Sequence, residues 1–209
     1  MIFNKSKKYD FPPEFCFQNE EILDVVEETR LLGQVLTSDL KWYANTKSIY
    51  SKAISKMWLL RRMKIMQMDP KIIFDYYQKE IKVLAEQGVI IWNSGLTKGQ
   101  ERDLEKIQKV AFKIILADDY GSYELALSFC GAQKLTDRRL QLCTNFAIKL
   151  YKSEKSEEYF TLADRIIETR QDAPLVVEQK VNTKRCYNAP HNYLARLVNA
   201  NSKTLKNKP

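Results

Sequence analysis

The period of apolar positions changes at about residue 40. Upstream, the apolar runs are short and lean towards β-branched and aromatic residues: Met1-Ile2-Phe3, Glu14-Phe15-Cys16-Phe17, Ile22-Leu23-Asp24-Val25-Val26 and Leu31-Leu32-Gly33-Gln34-Val35-Leu36. Such runs predict strands, punctuated by Pro12-Pro13 and Gln18-Asn19. Gly33 inside a strand pattern predicts a bulge or a close backbone approach. After Asp39 the spacing becomes helical. Ile49, Ala53, Met57 and Leu60 recur on one helix face, while Lys52 and Lys56, four apart, share another.

Asp69-Pro70 has the form of a helix start, with Asp as cap and Pro in the first turn. The helix it opens carries a stripe of Ile73, Tyr77, Ile81 and Leu84 and is expected to stop at Gly88. A third helix is expected from about Lys98 to Leu116 with Leu104, Ile107, Ala111 and Ile114 inward. Ser122 is placed to cap a short helix ending at Gly131. Thr136-Asp137 is placed to cap another that carries Leu140, Cys143, Phe146, Ala147 and Leu150. Beyond about residue 152 the pattern weakens. From Gln171 to Pro209 there are seven Lys/Arg against two Asp/Glu, with one helical patch at Tyr193-Leu194-Ala195-Arg196-Leu197-Val198. The expected class is α+β, mainly α. A short N-terminal β-hairpin or meander (1–40) precedes a helical bundle (41–131), a helical extension (132–170) and a basic, weakly ordered tail (171–209).

An apolar fraction of 44% supports a packed core. No run approaches the roughly 18 to 20 apolar residues of a membrane span, and the first residues lack the pattern of a signal peptide. Cys16, Cys130, Cys143 and Cys186 are far apart, which fits a reducing, intracellular setting better than a disulfide framework. The net charge of +8 and a pI near 9.2 make nucleic acid the first candidate partner. A basic protein with no such partner is the plain alternative.

Several segments carry a resemblance. Lys7-Lys8-Tyr9-Asp10-Phe11-Pro12-Pro13-Glu14, then Val26-Glu27-Glu28-Thr29-Arg30-Leu31-Leu32-Gly33-Gln34-Val35-Leu36 and Leu40-Lys41-Trp42, resemble the post-palm segment of non-LTR (LINE-type, jockey-like) retrotransposon reverse transcriptases. Ala53 with Trp58-Leu59-Leu60-Arg61-Arg62 resembles the first thumb helix of that family. Tyr76-Tyr77, Gly88 and Ile91-Trp92 resemble its second thumb helix and exit, and Ile107-Gln108-Lys109 resembles a recurrent helix. Asp137-Arg138-Arg139, Asn188-Ala189-Pro190 and Tyr193-Leu194-Ala195-Arg196-Leu197 resemble its C-terminal region. The order of these segments spans most of residues 1 to 200.

The resemblance implies a chain that grips primer-template by its backbone without polymerising. Lys47, Lys52, Lys56, Arg61 and Arg62 are the expected phosphate contacts, against the plain reading of a solvated helix face. Leu32 and Gly33 are expected in a primer-grip-like hairpin. Trp58 and Trp42 are candidates to stack on a base, although core positions are the expectation for both. The implied partners are RNA or an RNA–DNA or DNA duplex and a palm-containing polypeptide, with no membrane.

The parent family uses Mg2+ held by a carboxylate pair in an aromatic-Ala-Asp-Asp strand turn, where two metals stabilise attacking and leaving oxygens. Leu116-Ala117-Asp118-Asp119-Tyr120 imitates that turn. Its preceding period is helical, however, and Leu116 replaces the aromatic. No catalytic residue, metal ligand or cofactor is therefore assigned to this chain. Asp24, the third carboxylate an enzyme would need, sits beside the hairpin. Cys186 and His191 make only half of a zinc site, a lone histidine argues against a His-based triad, and there is no phosphate-binding glycine loop. The rival readings are a helical protein-interaction module, a relic with no nucleic-acid binding, and a complete enzyme using Asp24, Asp118 and Asp119.

Overall fold

The computed structural model describes residues 15–16, 22–23, 26–163, 174–202 and 205. The Met1-Ile2-Phe3 strand, the Lys7–Glu14 segment, Asp24, and residues 171–173, 203–204 and 206–209 of the basic tail lie outside the described residues. The chain is mainly α, with an antiparallel N-terminal hairpin. Strands β1 (Phe15–Cys16) and β2 (Ile22–Leu23) pair with each other, as do β3 (Glu28–Leu31) and β4 (Gln34–Thr37).

The run from Leu31 to Leu36 is divided by the β3–β4 turn, where a hairpin is expected for Leu32 and Gly33. Leu31 pairs with Gln34, which leaves Leu32 and Gly33 as a two-residue loop with φ of 48° and 83°. Two consecutive positive φ values match the right-handed twist of a tight hairpin. Gly33 therefore marks a turn rather than a bulge. It is also a close approach, since a Cβ there would lie 2.9 Å from Gln87 Nε2. The outer edge of β4 is covered by a helix: the Val35 N–H donates to Asn45 Oδ1 at 3.0 Å. An unpaired edge group is thus satisfied without a third strand.

Helix α1 (Tyr43–Ile65) buries Ile49, Ala53, Met57 and Leu60 against α5 (Lys98–Leu116). Helix α2 (Pro70–Tyr76) starts as its sequence predicts, with the Asp69 carboxylate accepting the Lys71 N–H at 2.7 Å. It continues through a π-helical turn (Tyr77–Lys82) into α3 (Val83–Glu86). That wide turn explains the buried stripe. Ile73, Tyr77, Ile81, Ala85 and Val89 are spaced by four throughout, which an α-helix of 3.6 residues per turn would rotate off the core. Ala85 consequently takes the place expected for Leu84. Gly88, at φ 64°, ends the helix. Short α4 (Val89–Trp92) buries Trp92, whose Nε1 donates to the Gln87 carbonyl at 3.0 Å.

Helix α5 is fixed at its start by a reciprocal capping box between Thr97 and Gln100. Ser122 caps α6 (Tyr123–Phe129). Helix α7 (Leu135–Tyr151) is not capped by Thr136 or Asp137, because the Glu105 carboxylate of α5 takes that role. Leu135 and Cys143 join the same core as α1 and α5, so packing runs on across residue 131. Leu140 and Phe146, expected inward, are exposed; Arg139 instead shares the buried face with Cys143 and Ala147.

Short α8 (Ser156–Tyr159) and α9 (Lys184–Tyr187) flank a second cluster. There α10 (Pro190–Ala200) buries Leu194, Ala195 and Val198 against Ala147, Phe160 and Val176. Asn199 pins this layer, accepting the N–H groups of Leu175 and Val176 at 2.9 and 3.0 Å. The helical patch expected at Tyr193–Val198 is thus part of a docked helix, because α10 has an apolar face to bury. Among the described residues no helix is long and apolar enough to cross a membrane.

Candidate nucleic-acid interface

Helix α1 carries Lys47, Lys52, Lys56, Arg61, Arg62 and Lys64, and no Asp or Glu. The helix period sorts them. Lys47, Ser51, Ser55, Trp58 and Arg62 recur at intervals of three or four, which lines them along one solvent face opposite the core stripe. Arg61 flanks that line. Lys47, Lys52, Arg61 and Arg62 are exposed, and no carboxylate lies within 4 Å of any of them among the described residues.

Trp58 belongs to this outer face. It is 64% exposed, with the Arg62 guanidinium 5.9 Å from its ring centroid. The expectation that it fills the core is corrected: Met57 and Leu60 occupy the inward positions on either side. Trp42 does pack against the bundle, where a Cβ on Gly95 would come within 2.6 Å of its ring.

Lys56 and Lys64 are engaged elsewhere. Lys56 forms an ion pair with Glu80 on the π-helical turn. Lys64 Nζ donates to the Ile115 carbonyl at 2.9 Å, putting a cation on an orphan carbonyl at the C-terminal end of α5. Lys52 lies on the Lys56 side of the helix, away from the Trp58 line. The structure thus lines Lys47, Trp58 and Arg62 along one face with Arg61 beside it, and places Lys52 and Lys56 on another.

Leu32 and Gly33 form the hairpin tip. Leu32 is 88% exposed, and the tip is steadied from below by Gln34 Nε2, 3.3 Å from the Gln87 carbonyl. A φ of 48° costs a leucine about 1–2 kcal/mol relative to ordinary backbone, and the β3–β4 pairing on either side holds that backbone.

Asp118 and Asp119 are exposed on a 3-10 turn (Ala117–Asp119) that directly follows α5. They are not in a strand turn. Among the described residues no group of three or more His, Cys, Asp or Glu is arranged to hold a metal. Burial pushes the Cys143 thiol up to about 11, away from nucleophilic use. A cleft of about 350 Å³ is lined by Tyr77, Gln78, Lys82, Gln108 and Arg138. Lys82 and Arg138 both bind Glu86, at 3.7 and 3.1 Å, which offsets their charge towards an anion.

The exposed Trp58–Arg62 pair was missed as a unit by sequence reasoning. Its signal is the four-residue spacing combined with the absence of any apolar partner at that helix angle. Comparison with protein-family models, with curated proteins and with solved structures gave no match to this chain.

Proposed function

We propose that this chain is a nucleic-acid-gripping segment of the kind found downstream of the palm in LINE-type reverse transcriptases. It holds the backbone of RNA or of an RNA–DNA or DNA duplex and carries no polymerase site of its own. The observation that carries this reading is the outer face of α1. There an exposed tryptophan lies under an arginine, with Arg61 beside it and Lys47 about three turns back along the same face, on a helix without a single carboxylate. Cations neutralise phosphates and release counterions, which gives affinity without sequence preference. An exposed aromatic ring adds a stacking surface for an unpaired base. A palm-bearing polypeptide is a second partner under this reading.

Tryptophan fluorescence tests it. Adding a single-stranded oligonucleotide should quench the wild-type emission, and Trp58→Leu should remove that quench while weakening binding by about 1–3 kcal/mol. An oligonucleotide that leaves the emission unchanged and binds both proteins equally contradicts the reading. The rival protein-interaction reading draws on a different observation. Ile65 and Met66, at the end of α1, are 70% and 69% exposed, which suits an apolar partner. Binding of that kind would be insensitive to salt.

A further inference from the structure

A second arginine–aromatic pair lies in the C-terminal segment. The Arg196 guanidinium carbon is 3.6 Å from the Tyr187 ring centroid, and its Nη1 donates to the Tyr187 carbonyl at 2.7 Å. Tyr187 is exposed and closes α9, whose other exposed side chains are Lys184 and Arg185. Among the described residues neither cation has a carboxylate partner. This segment is tied to the bundle at several points. Ser94 Oγ donates to the Asn188 carbonyl at 2.7 Å. The Arg185 guanidinium donates to the carbonyl of Asp39, a residue 146 positions earlier. Asp39 lies four residues before the start of α1, and its own carboxylate is occupied by Lys41 at 3.1 Å and by the Thr37 hydroxyl at 2.7 Å.

We infer that α9 is a second contact for the same nucleic-acid backbone, reached from the N-terminal end of α1, with Lys184 and Arg185 on phosphates and Tyr187–Arg196 as a stacking pair. The inference rests on the function proposed above. Along α1 the rise from Lys47 to Arg62 is about 22 Å, or roughly six to seven base-pair steps at about 3.4 Å each. The contact between Arg185 and Asp39 adds α9 to the Lys47 end of that track. Residues far apart in sequence would thereby grip one polyanion.

The test is the salt dependence of binding of the full chain to a labelled RNA–DNA duplex, comparing wild type, Lys184→Gln, and Lys184→Gln with Arg185→Gln. The log–log salt slope should shrink by about 1 for the single variant and about 2 for the double one, with the thermal midpoint of Lys184→Gln unchanged. Among the described residues the Lys184 side chain makes no hydrogen bond or ion pair, so its variant separates binding from docking of the segment. Slopes equal to wild type in both variants overturn the assignment of α9 and leave the α1 face standing. A folded wild-type chain that does not bind overturns both.

Discussion

The Glu105 carboxylate on α5 accepts the backbone N–H groups of Leu135 and Thr136 at 3.1 Å each, capping a helix that begins thirty residues further along the chain. The same group accepts the Thr136 hydroxyl at 3.0 Å and the Tyr123 hydroxyl. A carboxylate at a helix N-terminus faces the positive end of the dipole and satisfies orphan donors together. One side chain therefore joins α5, α6 and α7.

Glu105→Ala should cost about 3 kcal/mol, since charge-assisted hydrogen bonds are worth about 1.5–3 kcal/mol each and are not additive. In a chain of this size that lowers the thermal midpoint by about 6–12 °C, readable by circular dichroism. Glu105→Gln, which keeps one acceptor, should lose less. A midpoint unchanged in the alanine variant would show that α7 is held by its apolar face alone.

Arg139 is fully buried with Nε on Asn93 Oδ1 at 3.1 Å, and its Nη1 has no partner among the described residues. Burial pushes its guanidinium below the usual arginine range, with Glu105 and Glu101 opposing. No carboxylate stands within 4 Å of it among the described residues. Replacing such a charge by a chain of similar volume is often neutral or stabilising. Arg139→Met should leave the unfolding free energy from urea titration within about 1 kcal/mol of wild type or raise it. A loss above about 3 kcal/mol would mean the charge is compensated in solution.

The hairpin tip separates stability from function. Leu32→Asn relieves a positive-φ leucine and should stabilise the fold by about 0.5–1 kcal/mol. If the tip serves as a primer-grip-like contact, the same variant should weaken duplex binding. A variant that is more stable and binds as well as wild type would remove Leu32 from the interface. Gly33→Ala should destabilise, because φ is 83° and the new Cβ meets Gln87.

Acid should loosen the junction between β4 and α1. The Lys41 N–H and the Thr37 hydroxyl hold the Asp39 carboxyl well below the usual range, at about 2. A depressed carboxyl contributes stability that is fully present above its ordinary value of 3.8 and is lost as pH falls through about 2. The contribution is small because the group is exposed. Carboxyl chemical shifts followed by NMR from pH 5 to about 2 should show this late protonation, and a midpoint near 3.8 would remove the hydrogen-bonded turn.

Much of this architecture is legible in local sequence. Asp69-Pro70, Gly88, Ser122 and the Lys98–Leu116 span each carry their own start or stop chemistry. What escapes is set by contacts between distant residues. The π-helical turn that selects Ala85 over Leu84 is imposed by packing on α1 and α5. The α7 cap comes from Glu105, so the nearby Thr136-Asp137 pair misleads. The interface divides in the same way. The basic character of α1 is plain from its composition, yet the withdrawal of Lys56 to Glu80 and the exposure of Trp58 depend on which helices pack on which face.

The most direct measurement is fluorescence anisotropy of a labelled RNA–DNA primer-template titrated with the full chain between about 50 and 200 mM salt, the range over which phosphate contacts lose most affinity. With Lys47, Arg61 and Arg62 on phosphates, the log–log slope should be about −3 or steeper. Changing Lys47, Arg61 and Arg62 to Gln should flatten it by about 3, and Lys56→Gln should leave it nearly unchanged. Absence of binding by a folded chain, or binding indifferent to salt, would contradict a backbone grip.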